Sequence, residues 1–146
     1  MEALSSFSIA SLNVLLALTA ILTLIIWGWQ IMVLRGKAMS NADGTSDDWH
    51  EQKIFYGIAL ADVVLACPVT IAGVIMVFVS PRAGFILLSM ASFWFVWANI
   101  MTTATSLRFE KPKITAAWFI SFPFGILVGL ALIAWIMIHF DRIFLA

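Results

Sequence analysis

Ile54-Phe-Tyr-Gly-Ile-Ala-Leu-Ala-Asp-Val-Val-Leu-Ala-Cys-Pro-Val-Thr-Ile-Ala-Gly-Val-Ile-Met-Val-Phe-Val79 is apolar throughout, apart from one carboxylate, Asp62. About 20 apolar residues in a helix cross the hydrocarbon of a bilayer, so this run reads as a membrane span. A carboxylate inside hydrocarbon is costly unless it is paired, neutralised or facing a polar cavity. The stretch therefore decides the fold class and singles out the first candidate functional residue.

Three more runs of the same kind fill the chain, giving expected spans at 7–34, 54–79, 83–106 and 115–140. Hydrophobic residues are 63% of the 146 and charged residues 11%, with a mean hydropathy of +1.06. A soluble domain needs more polar surface than this. The expectation is an all-α integral membrane protein, with four transmembrane helices in an antiparallel bundle forming a single domain over 1–146. Helices are expected because hydrocarbon offers no water to an exposed backbone. Such a chain leaves no room for a soluble catalytic domain. The first run is expected to stay in the membrane as a span, because Met1-Glu-Ala-Leu-Ser-Ser6 carries no Lys or Arg and the run exceeds a signal-peptide core.

Charge sets the expected orientation. Arg35, Lys37, Lys53, Arg108, Lys111 and Lys113 fall on one side, and only Arg82 and Arg142 on the other. The positive-inside rule then places loops 35–53 and 107–114 in the cytoplasm of a plasma or bacterial inner membrane, with both termini extracytoplasmic. Asp48 with Glu51 reads as a capping box opening the second helix. Trp27, Trp29, Trp49, Trp118 and Trp135 fall near expected interfaces, whereas Trp94 and Trp97 lie deeper and read as packing or lipid contact.

Asp62 lies eight residues past Ile54, roughly 12 Å inward at helical rise, which is too deep for a short side chain to reach water. On a helical wheel it shares a face with Phe55, Ala59, Ala66 and Gly73, most of them small, so it should point into the bundle. In the third span Ser92, Asn99, Thr102, Thr103 and Ser106 recur at helical spacing. Asn99 should sit level with Asp62 and can donate to it, so an Asp62–Asn99 pair, supported by Thr103, is the expected intramembrane polar site. Pro68 and Pro123 lack an N–H and should free the carbonyls of Val64 and Phe119, which can ligate a cation or hold water. No basic residue lies at the depth of Asp62 in any span.

Other signals are weaker. Gly125 and Gly129 form a GxxxG motif, and Gly57 with Ala61 a small-xxx-small pattern. Either pair can serve helix packing or an oligomer face. His50 among Asp47, Asp48 and Glu51 reads as a solvated helix start, and no metal site, cofactor or catalytic residue set is expected. His139 with Asp141 is an equally thin metal signal. Cys67 has no His or second Cys near it in sequence to support nucleophilic chemistry. With zero net charge and no basic block, nucleic acid is not an expected partner. The lipid bilayer is, together with copies of the same chain or partner membrane subunits.

Three functions fit these residues. One is a transporter or channel protomer in which Asp62 binds a proton, a cation or a small cationic substrate. The second is an accessory or assembly subunit in which Asp62 and Asn99 glue helices together. The third is a membrane enzyme acting on a lipid or quinone. It ranks last, because an acid alone is a poor catalytic inventory.

Overall fold

The computed structural model describes residues 4–36, 56–110 and 113–145. Loop 37–55, with the Asp48/Glu51 capping box, the His50 group and Trp49, lies outside the described residues. The described residues are helical, with no strand among them.

Helix α1 spans Ser6–Leu34. Ser5 caps it by accepting from the Ser8 N–H at 3.1 Å, which satisfies one of the first-turn donors. It ends at Arg35 and Gly36, where Gly36 turns to φ 69°, a left-handed conformation that costs glycine nothing. Helix α2 spans Tyr56–Val79 and contains one wide turn, Asp62–Ala66, in which the Cys67 N–H reaches back to the Asp62 carbonyl. The following Pro68 explains the widening. In a regular helix its ring would press on the Val64 carbonyl, and an extra residue in the preceding turn relieves that clash.

Only Ser80 separates α2 from α3 (Pro81–Thr105). A residue before proline avoids the helical region, and Ser80 has φ −142° and ψ 85°, so α2 must stop there. Pro81 then starts α3, where a missing N–H costs nothing. The two helices form a tight antiparallel hairpin whose axes come close at Gly84, against the backbone of Met76 and Val77. Helix α3 continues into a second wide turn, Ser106–Glu110.

The expected fourth span is not one helix. Helix α4 (Ala116–Ser121) is capped by Thr115, and α5 (Phe124–Ile138) follows after a break at Phe122 and Pro123. At 1.5 Å per residue the 15 residues of α5 extend about 22 Å, short of the roughly 30 Å of hydrocarbon. Three helices, Ser6–Leu34, Tyr56–Val79 and Pro81–Arg108, are long and apolar enough to cross a membrane. A kinked single helix was the expectation. The break falls where Phe122 is distorted to φ −118° and ψ −78° and Pro123 brings no N–H to continue the helical ladder.

Helix α3 is the centre of the bundle, packed on one side against α2 and on the other against α5, while α1 closes against α2 and α5. One apolar cluster, built from Leu12, Leu16, Phe85, Leu88, Leu132 and Trp135, fills the end near the α2–α3 turn. A second, of Leu22, Phe95 and Val128, lies towards the other end. Cys67 is fully buried in α2. We expect it to resist maleimide in the folded protein in mild detergent and to react to completion once SDS or urea unfolds the bundle. Rapid labelling of the native form, followed by mass spectrometry, would contradict this packing of α2.

Candidate functional site

The wide turn of α2 begins at Asp62, whose side chain is 5% exposed. Gln30 of α1 donates from Nε2 to Asp62 Oδ2 at 2.8 Å, and Trp94 of α3 donates from its indole Nε1 to Oδ1 at 2.9 Å. One carboxylate therefore ties three helices together, each oxygen holding one neutral donor. Both lengths fall within the usual range of protein hydrogen bonds.

Asn99 is not among Asp62's partners. The contacts of Gly73 with Leu87 and Leu88, and of Gly84 with Met76 and Val77, set a hairpin register that brings residue 62 level with residue 99. Asn99 nevertheless faces away from α2. It is 7% exposed, donates from Nδ2 to the Phe95 carbonyl at 2.8 Å, and lies directly over Gly125 of α5. Residues 94 and 99 differ by five positions, which is about 140° around a helix, so they cannot both face α2.

The rest of the expected stripe is likewise turned to its own helix or to the last one. Ser92 Oγ donates to the Leu88 carbonyl at 2.6 Å, and Thr102 Oγ1 donates to the Ala98 carbonyl at 3.0 Å. Such back-bonds satisfy a hydroxyl in an apolar setting without a partner helix. Thr103 Oγ1 is buried with no hydrogen-bond partner among the described residues, and is not joined to Asp62. Ser106 accepts from Trp118 Nε1 at 3.0 Å, which ties the end of α3 to α4.

Behind Asn99 is a cavity of about 130 Å³ between α1, α3 and the α4–α5 break. Its walls are Leu22, Ile25, Ile26, Trp29, Phe95 and Ile120, and its polar groups come from Asn99 and Ser121, with Gly125 at the edge. The volume decides what it can hold. A drug-sized ligand needs about 300 Å³ or more, so this space is too small for one, and its walls are mostly apolar. Pro123, which has no N–H, removes the helical donor of the Phe119 carbonyl one turn before the break. Trp94 packs against the Leu22–Phe95–Val128 cluster while its N–H holds Asp62, and neither Trp94 nor Asp62 lines the cavity.

Gly125 and Gly129 are used inside the bundle. A Cβ at Gly129 would lie 2.8 Å from Val96 Cγ2 and 3.0 Å from the Ser92 carbonyl oxygen, and one at Gly125 would run into Asn99. The GxxxG motif thus lets α5 approach α3, which leaves it unavailable as an oligomer face. Gly57 and Ala61 lie on the exposed side of α2, with nothing within 4 Å of a Cβ at Gly57.

Gln30 was not singled out by the sequence reading, Trp94 was read there as packing or lipid contact, and His139 was paired with Asp141, not with Ser8. Gln30 carried a usable signal, since it is the one carboxamide at the end of an otherwise apolar face. Trp94 carried none, because an indole in a span reads as packing until its N–H direction is known.

Trp94→Phe keeps the ring in its cluster and removes one bond to Asp62. Interhelical bonds in membranes average about 0.6 kcal/mol and reach about 1.7, so a loss of about 1 kcal/mol is expected. Unfolding in SDS/detergent mixtures, followed by circular dichroism, measures it. A neutral result would mean that the bond adds nothing beyond ring packing. Compared with protein-family models, with curated proteins and with solved structures, the chain matches none.

Proposed function

We propose that this is a four-span integral membrane protein with both termini extracytoplasmic, serving as a transporter or channel protomer in which Asp62 binds a proton, a cation or a small cationic substrate. The observation that carries the reading is the carboxylate itself, 5% exposed and held, among the described residues, by two neutral N–H donors. An intramembrane acid without a basic partner is a site that a proton or cation competes for. Two features support it. Asp62 opens a wide helical turn, a feature frequent at functional sites. The α4–α5 discontinuity borders a small cavity lined in part by Asn99 and Ser121, and broken helices line binding sites in membrane transporters.

The fourth span in this reading is α4 and α5 together. Their six and 15 residues extend about 9 Å and about 22 Å, which sum to the thickness of the hydrocarbon. Orientation rests on the arginines: Arg35 and Arg108 end α1 and α3 at one face, and Arg82 starts α3 at the other. The test is flux of protons, alkali cations and lipophilic cations into proteoliposomes, wild type against Asp62→Asn. A wild-type protein that moves none of them sinks the reading.

A second reading, an accessory or assembly subunit, is favoured by one observation: both Asp62 oxygens already have donors, as a structural strut would. The open Gly57/Ala61 side of α2 would then receive a partner subunit or a second copy. Native mass spectrometry of the protein released from its own membrane separates the two, since only this reading expects a stoichiometric partner.

A further inference from the structure

At the end of the bundle away from Asp62, the first turn of α1 meets the last turn of α5 through a chain of hydrogen bonds. His139 Nδ1 lies 2.9 Å from the Trp135 carbonyl oxygen, and Nε2 lies 3.1 Å from Ser8 Oγ. A carbonyl only accepts, so Nδ1 carries the proton in the first bond. In neutral imidazole, Nε2 then has a free lone pair, and the second bond is donated by the Ser8 hydroxyl. Ser5 Oγ, 2.9 Å from Ser8 Oγ, is left to donate to Ser8. The Ser8 proton is thereby committed to a base whose tautomer is fixed by the backbone.

The ring is also held in place. It stacks on Trp135 with centroids 4.2 Å apart and 20° between planes, and Trp135 stacks in turn on Phe85 at 5.6 Å. Trp135 Nε1 donates to Ser11 Oγ at 3.1 Å, one turn along α1 from Ser8. Ser8 and His139 are both half-buried, so the pair is rigid yet reachable.

We propose that Ser8 is a nucleophile and His139 its general base, acting on carboxylic esters that lie at the membrane surface. A hydroxyl paired to an imidazole whose other nitrogen is anchored is the arrangement that makes serine reactive. Beside it, the Ser8 N–H is taken by Ser5 Oγ and the Ile9 N–H by the Ser5 carbonyl. The pair sits at the N-terminus of α1, whose positive dipole end favours a developing oxyanion. Phe7, Phe140 and Leu145 are exposed around the pair and offer apolar surface along which an acyl chain can lie.

The step balances within these groups. Ser8 Oγ adds to the ester carbonyl carbon as its proton passes to His139 Nε2. The tetrahedral species collapses by breaking the carbon–oxygen bond to the alcohol, which takes that proton and leaves. Water then gives a proton to Nε2 as it attacks the acyl carbon, and the proton returns to Ser8 Oγ as the acid departs. Nothing is oxidised or reduced.

The test uses the full chain in lipid nanodiscs and a fluorophosphonate probe, which loses fluoride when an activated serine attacks its phosphorus. Intact mass and peptide mapping locate the adduct, and hydrolysis of p-nitrophenyl butyrate and octanoate is followed alongside. The expected result is one adduct, on Ser8, formed by the folded protein and absent from the SDS-unfolded protein. His139→Gln, which keeps the serine, should slow labelling by about 100-fold or more, the usual share of a general base. Ser8→Ala should abolish both labelling and ester hydrolysis. No adduct on Ser8 in the folded wild-type protein, or equal labelling rates in wild type and His139→Gln, would overturn the proposal.

Discussion

Gly84→Ala is expected to destabilise the bundle by about 3 kcal/mol, the upper end of the usual cost of overpacking a tight contact. A methyl group there would lie 2.6 Å from the Met76 carbonyl carbon and 2.7 Å from Val77 Cα, and would also run into the Val77 amide nitrogen. All three are helix backbone, so no rotamer change makes room and the hairpin must splay. Gly73→Ala is the matched control. Its new methyl would meet Leu87 Cβ at 3.1 Å and Leu88 Cγ and Cδ2 at 3.2 Å, contacts that need a shift of only a few tenths of an ångström, whereas at Gly84 the backbone itself is struck. Alanine gains up to about 1 kcal/mol of helix propensity over glycine at either site. That gain offsets the Gly73 clash and is overwhelmed at Gly84. SDS-induced unfolding of both variants, read by circular dichroism, decides. Equal midpoints would mean that the α2 and α3 backbones are not in contact at Gly84.

The second large effect concerns Asp62, where two substitutions part function from structure. Asp62→Asn keeps the shape and one acceptor oxygen. Trp94 Nε1–H can still donate to that oxygen, and Gln30, whose amide both donates and accepts, can turn to receive the new N–H. Stability should therefore fall by less than about 1 kcal/mol. Flux, under the transport proposal, should fall by on the order of 100-fold or more. Removing one member of a buried charge pair costs about 3–5 kcal/mol, and each 1.4 kcal/mol is tenfold in occupancy. Asp62→Leu instead leaves the indole N–H with no acceptor and should cost about 1–3 kcal/mol of stability. Proteoliposome flux and unfolding midpoints are measured on the same preparations. If Asp62→Asn is silent in both, the carboxylate is a strut and the accessory-subunit reading takes its place.

Helical character and the three long apolar helices were legible because each follows from composition and from the length of the apolar runs. The partner of Asp62 was not. Counting residues along two helices pairs Asp62 with Asn99, but a count along an axis says nothing about which neighbour stands on which side of a helix. That azimuth is set by α5, which comes close to α3 at Gly125 and Gly129 and takes the Ser92–Asn99 face for itself. The indole of Trp94 is then left facing α2. Proline was legible as a breaker but ambiguous in outcome: at Pro68 the helix widens a turn and carries on, whereas at Pro123 it stops and restarts. The Ser8–His139 pair joins residues from nearly opposite ends of the chain. Only the antiparallel closure of α1 on α5 brings them together.

The single residue between α2 and α3 bears on how the protein is assembled. Ser80 leaves no tether to be closed, so the two helices meet at almost no loop entropy, and their contacts are among the most local in the chain. They would enter the bilayer as one pre-paired hairpin. The bond from Trp94 to Asp62 closes within that hairpin, whereas Gln30 reaches the carboxylate from α1. One oxygen of the carboxylate is thus satisfied by the most local tertiary contact in the bundle, and does not depend on the docking of α1 or α5.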